Sequence, residues 1–109
     1  MKVAIPSQDN MVCTHFGHCE SFTIAEVEDG KVSSKRTLQA PPHEPGLLPR
    51  LMASEGVNVV IAGGMGSRAQ QLFVEQNIQV ITGVSGAIDD VLEAYLQGNL
   101  ESGPNACDH

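Results

Sequence analysis

The sequence concentrates its metal-binding side chains in two short segments. Residues 11–22 read MVCTHFGHCESF, and the last three residues read CDH. Thiolates and imidazoles are the ligands that proteins use for zinc, copper and iron–sulfur centres. We therefore interpret six residues as candidate metal ligands: Cys13, His15, His18, Cys19, Cys107 and His109.

Spacing indicates which of these donors can share one ion. Cys13 and His15 are two residues apart, and such side chains point to the same side of an extended chain. Cys107 and His109 have the same spacing, so the two pairs together give the two thiolates and two imidazoles of a closed zinc site. The ten residues from Leu100 to His109 span at most ~33–36 Å, which is enough to reach across a domain of this size.

The remaining two donors are harder to place. His18 and Cys19 are adjacent, and they can share a metal only if the chain bends sharply at Gly17. Each of the six donors taken alone is more often a surface histidine or a buried cysteine, and the metal hypothesis depends on their clustering. Because we expect a reducing compartment, the three cysteines indicate thiolates for metal or redox chemistry and not a disulfide framework.

A glycine-bearing turn is the second feature that can carry chemistry. The segment GGMGSRA lies between an apolar run and a helical pattern, where free backbone N–H groups and a helix dipole favour an anion. A tight turn required by packing explains the glycines equally well. The segment matches neither a Walker A nor a dinucleotide fingerprint. The candidate cofactor-binding residues here are Gly63, Gly64, Met65, Gly66, Ser67 and Arg68.

Composition excludes several function classes. The net charge is −7, from six basic and thirteen acidic residues, which argues against nucleic acid and against an anionic membrane surface as binding partners.

The N-terminal apolar run stops at Pro6 and is too short for a signal peptide, so we expect a cytoplasmic protein. The length of 109 residues fits one domain, which we place at residues 1–100, followed by a flexible tail at 101–109.

Hydrophobic patterning predicts an α/β fold in which a hairpin precedes alternating helices and parallel strands. We expect the ends of three strands, at residues 5–7, 62–66 and 82–86, to meet at one edge of the sheet, where α/β proteins usually bind ligands. The predicted strands are 2–5, 22–27, 31–38, 57–62 and 79–82. The predicted helices are one with its apolar stripe at 47–52 and its C-terminal cap at Gly56, one at 68–76 (capped by Ser67) and one at 87–97.

Three motifs together resemble a known family. They are HFGHCESF at residues 15–22, AGGMGSRA at 62–69 and AIDDVLEAYLQGNL at 87–100. In this order they are similar to the dinitrogenase iron-molybdenum cofactor biosynthesis family, which includes NifX, NafY and the C-terminal part of NifB. The resemblance covers nearly the whole chain and is that of a stand-alone member.

The resemblance implies a ribonuclease H-like motif, with a five-stranded mixed sheet, one strand antiparallel, between helices. It also implies a non-catalytic protein that binds or carries an iron–sulfur or molybdenum-containing cluster and delivers it to a protein partner. The family's motif histidine, a proposed cluster ligand, falls on His15, and Phe16 and Gly17 complete the motif.

This chain also departs from the nitrogenase-dedicated members of that family. Cys13 and Cys19 flank the motif, and a Cys107-x-His109 tail is present. The departure makes a role in nitrogenase itself less expected, and a molybdenum–copper cluster is one further option. Two other functions stay open: an interaction or regulatory module with a structural zinc site or no metal, and a thiol enzyme with an activated cysteine.

Overall fold

The computed structural model describes residues 1–13, 19–40 and 46–100. Among the helices of these residues, none is long and apolar enough to cross a membrane. In this part of the chain the strands are β1 (Lys2–Gln8), β2 (Met11–Val12), β3 (Ser21–Glu28), β4 (Lys31–Gln39), β5 (Val59–Ile61) and β6 (Gln79–Ile81), and the helices are α1 (Leu47–Ser54), α2 (Ser67–Glu75) and α3 (Ile88–Leu96).

A mixed sheet forms the middle layer of the fold. The strand order is β4-β3-β1-β5-β6, and β2 pairs with β1 outside this path. The pairs β1–β3 and β3–β4 are antiparallel, and the pairs β1–β5 and β5–β6 are parallel. On this path, within the described residues, β3 therefore runs against the other four strands. The predicted α/β fold with one antiparallel strand in a mixed sheet is confirmed for these five strands, whereas β2 was not predicted.

Helices cover both faces of this sheet and enclose two apolar clusters. On one face, α3 packs its stripe of Ile88, Val91 and Leu92 against β1, β3 and β5. On the other face, Met52 of α1 and Phe73 of α2 are fully buried in a cluster with residues of β1, β3 and β5. The inward stripes that the helical periodicity predicts for α1, α2 and α3 are thus confirmed by burial.

The hairpin at the edge of the sheet follows its sequence signal. Asp29 and Gly30 have φ values of 54° and 75°, as a type I′ turn requires at both central positions. The edge strand β4 is exposed, and its successive residues Lys35 and Arg36 point to opposite faces. Lys35 pairs with Asp89 of α3 and Arg36 pairs with Glu55 after α1. The edge strand is therefore tied to a helical layer on each side.

Two local predictions are wrong. We expected Pro6 to end the first strand, but β1 continues through Pro6 to Gln8. We also expected Ser67 to cap the second helix, but Gly66 is the N-cap residue and Ser67 is the first residue of α2. Both errors concern the boundary of an element, at the end of β1 and at the start of α2, where local sequence patterns predict least well.

Candidate functional site

The turns after β5 and β6 lie side by side at one edge of the sheet. The N–H of Ala62 donates to the carbonyl of Ile81 at 2.8 Å, and the N–H of Val84 donates back to Ala62 at 3.1 Å. One residue further on, the N–H of Gly83 donates to the carbonyl of Gly63 at 2.7 Å. The glycine-bearing turn after β5 is therefore fixed directly to the turn after β6.

The end of β1 joins the same edge through the short strand β2. The N–H of Cys13 donates to the carbonyl of Pro6 at 2.8 Å, and the N–H of Val12 donates to the carbonyl of Gly86 at 2.9 Å. β2 thus lies between the end of β1 and the turn after β6. The prediction that residues 62–66 and 82–86 meet at one sheet edge is confirmed, and residues 5–7 reach this edge through β2.

β1 and β5 part before they reach this edge. Their pairing is limited to Val3 with Val59 and Ala4 with Val60. Beyond this point β1 continues to Gln8 and takes β2 as its neighbour on that side. Because the Pro6 carbonyl faces β2, the missing N–H of this proline also faces β2 and interrupts no hydrogen bond to β3. The place where the two strands part is therefore occupied by the start of the donor-rich segment.

Cys13 and Cys19 are joined by a disulfide at this edge, with their Cα atoms 5.9 Å apart. Both side chains are nearly buried, with exposed fractions of 6% and 9%. The expectation that these cysteines are thiolates and form no disulfide is wrong for this pair. Ser7 of β1 pairs with Val12 on one side and with Ser21 on the other. β2 and β3 therefore lie on opposite sides of β1 near Ser7, and the disulfide joins the end of one to the start of the other.

A cluster of three hydroxyl groups, which sequence reasoning missed, joins β1 to β3 at the same place. The Oγ atoms of Ser7 and Ser21 are 3.1 Å apart, and the Thr23 hydroxyl donates to Ser7 Oγ at 3.2 Å. Ser7 and Thr23 are buried, so these bonds satisfy polar groups that water does not reach. The period of two that continues from Val3 and Ile5 to Ser7 was the available signal. The cluster fixes the register of β1 and β3 next to Cys19.

The glycine-bearing turn divides into a buried half and an exposed half. Gly63, Gly64 and Met65 are buried, whereas Gly66, Ser67 and Arg68 are exposed. The Met65 side chain is fully buried in the cluster around α1 and α2, and its carbonyl accepts a 2.9 Å hydrogen bond from Gln70 Nε2. The side chain of Met65 is therefore a packing group. The exposed half places the N-terminus of α2 and the Arg68 cation at the surface.

The structure brings together two of the six candidate metal ligands, Cys13 and Cys19. Four ligands and two motif residues lie outside the described residues: His15, Phe16, Gly17, His18, Cys107 and His109. Within residues 1–13, 19–40 and 46–100, no group of three or more His, Cys, Asp and Glu side chains is arranged to hold a metal ion. A complete ligand set is thus a prediction that requires the imidazoles of the intervening segment.

Comparison with known proteins assigns the chain to a family. The family model described as dinitrogenase iron-molybdenum cofactor matches residues 1–98. This chain belongs to that family. Since the match ends at residue 98, it covers the whole described fold except its last two residues and leaves out the tail with Cys107 and His109.

Similar proteins extend the family assignment to whole chains. An uncharacterised protein of Methanocaldococcus jannaschii, MJ0580, is 33% identical over 106 residues, which are 93% of this chain and 90% of the relative. The crystal structure of PH0822 has a TM-score of 0.92 and 34% identity, and the match covers 97% of each chain. The apo form of the orange protein from Desulfovibrio gigas shares the fold at 17% identity, with a TM-score of 0.74 and coverage of 95% and 93%.

Reduction of the disulfide in this family member is expected to lower its stability moderately. The cross-link between Cys13 and Cys19 closes a short loop, with a sequence separation of 6. On the chain-entropy model, a loop of this length contributes about 2 kcal/mol to the free energy of unfolding. Urea unfolding monitored by circular dichroism, with and without a dithiol reductant, measures the difference. A Cys13→Ser variant should show no such difference, and a reductant effect of the same size in that variant would contradict the assignment.

Proposed function

We propose that this member of the family binds and carries a metallocluster, of the iron–sulfur or molybdenum-containing type, and performs no catalysis. The observation that carries the proposal is the pairing of Cys13 with Cys19 at the sheet edge where the end of β1 and the turns after β5 and β6 lie together. Edges of this kind are where α/β proteins usually bind their ligands. His15 and His18, inside the segment that the two cysteines bracket, are the proposed nitrogen ligands.

The spacing of the two cysteines suits a shared metal ion once they are reduced. Two thiolates on one tetrahedral zinc ion, each about 2.3 Å from the metal, have their sulfur atoms about 3.7 Å apart. A Cα separation of 5.9 Å allows this arrangement after rotation of the side chains, without movement of the backbone. The donor set of Cys13, Cys19 and one or both imidazoles is the set that zinc and iron–sulfur centres accept.

The tail also begins close enough to contribute ligands. Leu100 lines a surface pocket together with Gly83 and Ser85 of the turn after β6. That turn is hydrogen-bonded to β2 one residue before Cys13. The seven residues from Leu100 to Cys107 span up to ~23–25 Å, so Cys107 and His109 are proposed as further ligands. A closed set of sulfur and nitrogen donors then needs no residue from another chain.

The exposed half of the glycine-bearing turn is proposed to stabilise the charge of the cluster. The first turn of α2 carries no acidic residue and contains the exposed Arg68. An anionic cluster at this helix terminus gains from the dipole and from the cation. In this proposal Gly63, Gly64 and Met65 shape the turn, while Gly66, Ser67 and Arg68 face the ligand.

The proposal also covers the location, the partners and the fold relationship of the protein. We place the protein in the cytoplasm, where thiolates persist, and we expect a protein partner that receives the cluster. Nucleic acid and membrane are not proposed as partners, because the net charge is −7. The mixed sheet flanked by helices is also our basis for keeping the ribonuclease H-like motif as the proposed fold relationship.

Anaerobic reconstitution tests this proposal. Reduced protein is incubated with iron and sulfide, and separately with zinc, and then passed through a desalting column. We expect bound metal in a fixed molar ratio by elemental analysis, and for the iron sample a visible absorption band from sulfur-to-iron charge transfer. Loss of all metal on the column, in both samples, would overturn the proposal.

The same experiment discriminates the second candidate, an interaction or regulatory module with a structural zinc site or no metal. The Cys13–Cys19 disulfide favours this candidate, since it ties the ends of the segment without any metal. The module predicts colourless protein after incubation with iron and sulfide. It also predicts that deletion of residues 101–109 changes the thermal midpoint but not the absorption spectrum.

A further inference from the structure

We infer that Cys13 and Cys19 are a reversible redox pair whose state controls whether the site accepts a metal ion. The inference rests on the proposed function, because it concerns regulation of the same site. It starts from one structural fact: the two sulfurs that metal binding requires as thiolates are joined to each other. A disulfide sulfur carries no negative charge, and the thiolate is the form of cysteine that binds metals.

The backbone around the pair is held by contacts that do not involve the sulfurs. Cys13 is fixed by its N–H bond to the Pro6 carbonyl at 2.8 Å. Two residues after Cys19, the hydroxyl of Ser21 lies 3.1 Å from that of Ser7 and also donates to the Ser7 carbonyl at 3.3 Å. Because both ends are anchored to β1, reduction breaks the sulfur–sulfur bond without releasing the strands. The pair can therefore open and close on one scaffold, which is the requirement for a reversible switch.

The two states differ in what they offer to a metal. In the oxidised state neither sulfur is a thiolate, because the two are bonded to each other. In the reduced state the pair offers two thiolates, which are half of the ligands of a tetrahedral zinc ion. Oxidation therefore removes both thiolates in one step. A bound ion loses its two charged ligands at the same time.

The electron balance of the switch is that of ordinary thiol–disulfide exchange. A dithiol reductant supplies two electrons and two protons, the Cys13–Cys19 bond breaks, and the reductant is converted to its own disulfide. When a divalent metal ion binds, the two thiol protons pass to solvent. In the reverse direction a disulfide oxidant takes two electrons from the two thiolates and picks up two protons. The protein bond re-forms and the metal ion is released.

The test measures thiol state and zinc binding separately. The protein is equilibrated without oxygen in mixtures of oxidised and reduced dithiothreitol, and the thiols are trapped with iodoacetamide and assigned by peptide mass spectrometry. Parallel samples are desalted, incubated with zinc, desalted again and analysed for metal. We expect Cys13 and Cys19 to become alkylated together in a single two-electron transition. We also expect reduced protein to retain at least tenfold more zinc than oxidised protein.

A Cys13→Ser variant provides the matched control. It keeps Cys19 but forms no Cys13–Cys19 bond, so its zinc retention should be weaker than that of reduced wild type and should show no jump at the wild-type transition. Failure of the pair to re-oxidise after reduction would overturn the inference while leaving the proposed function intact. Equal zinc retention in the oxidised and reduced protein would overturn the inference that the redox state of the pair governs zinc binding. Zinc retention in neither state would overturn the inference, and it would overturn the proposed function as well if the sample with iron and sulfide also loses its metal.

Discussion

Replacing Cys13 and His15 together by alanine should lower the zinc affinity of the reduced protein by on the order of a thousandfold or more. Loss of a single outer partner of a metal ligand already costs about 10–100-fold in affinity, and this variant removes two direct ligands. Competition with a chromophoric zinc chelator under reducing conditions measures the change. The wild-type protein must be reduced before the measurement, because its Cys13–Cys19 disulfide would otherwise prevent both sulfurs from binding zinc.

The apoprotein of this variant should be affected far less. Cys13 is nearly buried, so its truncation to alanine is expected to lower the free energy of unfolding by about 1–2 kcal/mol in the reduced state. His43→Ala is the matched control, because it removes an imidazole that lies outside the proposed ligand set. The control should keep its zinc affinity within about twofold. A similar loss of affinity in the His43→Ala and Cys13→Ala/His15→Ala proteins would rule out the proposed ligands.

Truncation of Phe73 to alanine is expected to produce the largest loss of stability, about 3–5 kcal/mol. The Phe73 side chain is fully buried in the cluster between α1, α2 and the sheet. Its removal leaves a cavity in a cluster in which Phe22 is the other aromatic residue and the remaining members are aliphatic. Because Phe73 fixes α2 to the sheet, it also fixes the glycine-bearing turn that precedes α2. Chemical denaturation followed by circular dichroism measures the change.

The adjacent residue provides a control on the same helix. Val74 is 63% exposed, and Val74→Ala removes apolar atoms that contribute little to the core. We expect a change within about 0.5 kcal/mol for this variant. Equal effects of the two substitutions would mean that α2 does not pack as described. The comparison also separates burial from helix propensity, because both substitutions introduce alanine into α2.

The elements that sequence predicted best are those whose signal is local. The apolar run at 57–62 predicted the central strand β5, and Asp29-Gly30 predicted a turn with positive φ at both positions. The stripe of α3 was visible in its helical spacing and is buried as expected. The turn is determined by two adjacent residues. β5 and α3 are determined by the pattern of apolar residues within each element.

The elements that sequence missed depend on neighbours far away in the chain. A proline was expected to end β1, but Pro6 is tolerated because its missing N–H faces β2 and not β3. β2 itself is two residues long, and it is held by its pairing with β1 and by the hydrogen bond from Val12 to Gly86. No periodicity in this sequence indicates either contact.

At the candidate site, too, sequence analysis missed contacts between residues that lie on different strands. The clustering of donors put Cys13 and Cys19 among the candidate ligands, although spacing favoured Cys13 with His15. The turns after β5 and β6 meet at one sheet edge, as predicted. Sequence did not predict the bond between the two sulfurs, since that depends on β2 and β3 lying on opposite sides of β1. The convergence of the imidazoles and of the tail on the same point stays a prediction.

X-ray absorption spectroscopy at the zinc edge tests this convergence most directly. The sample is reduced protein loaded with one equivalent of zinc and freed of excess metal. We expect at least two sulfur scatterers at about 2.3 Å together with imidazole nitrogens at about 2.0–2.1 Å. The sulfur contribution should fall in the Cys13→Ser variant. A spectrum with oxygen and nitrogen scatterers alone would contradict the account.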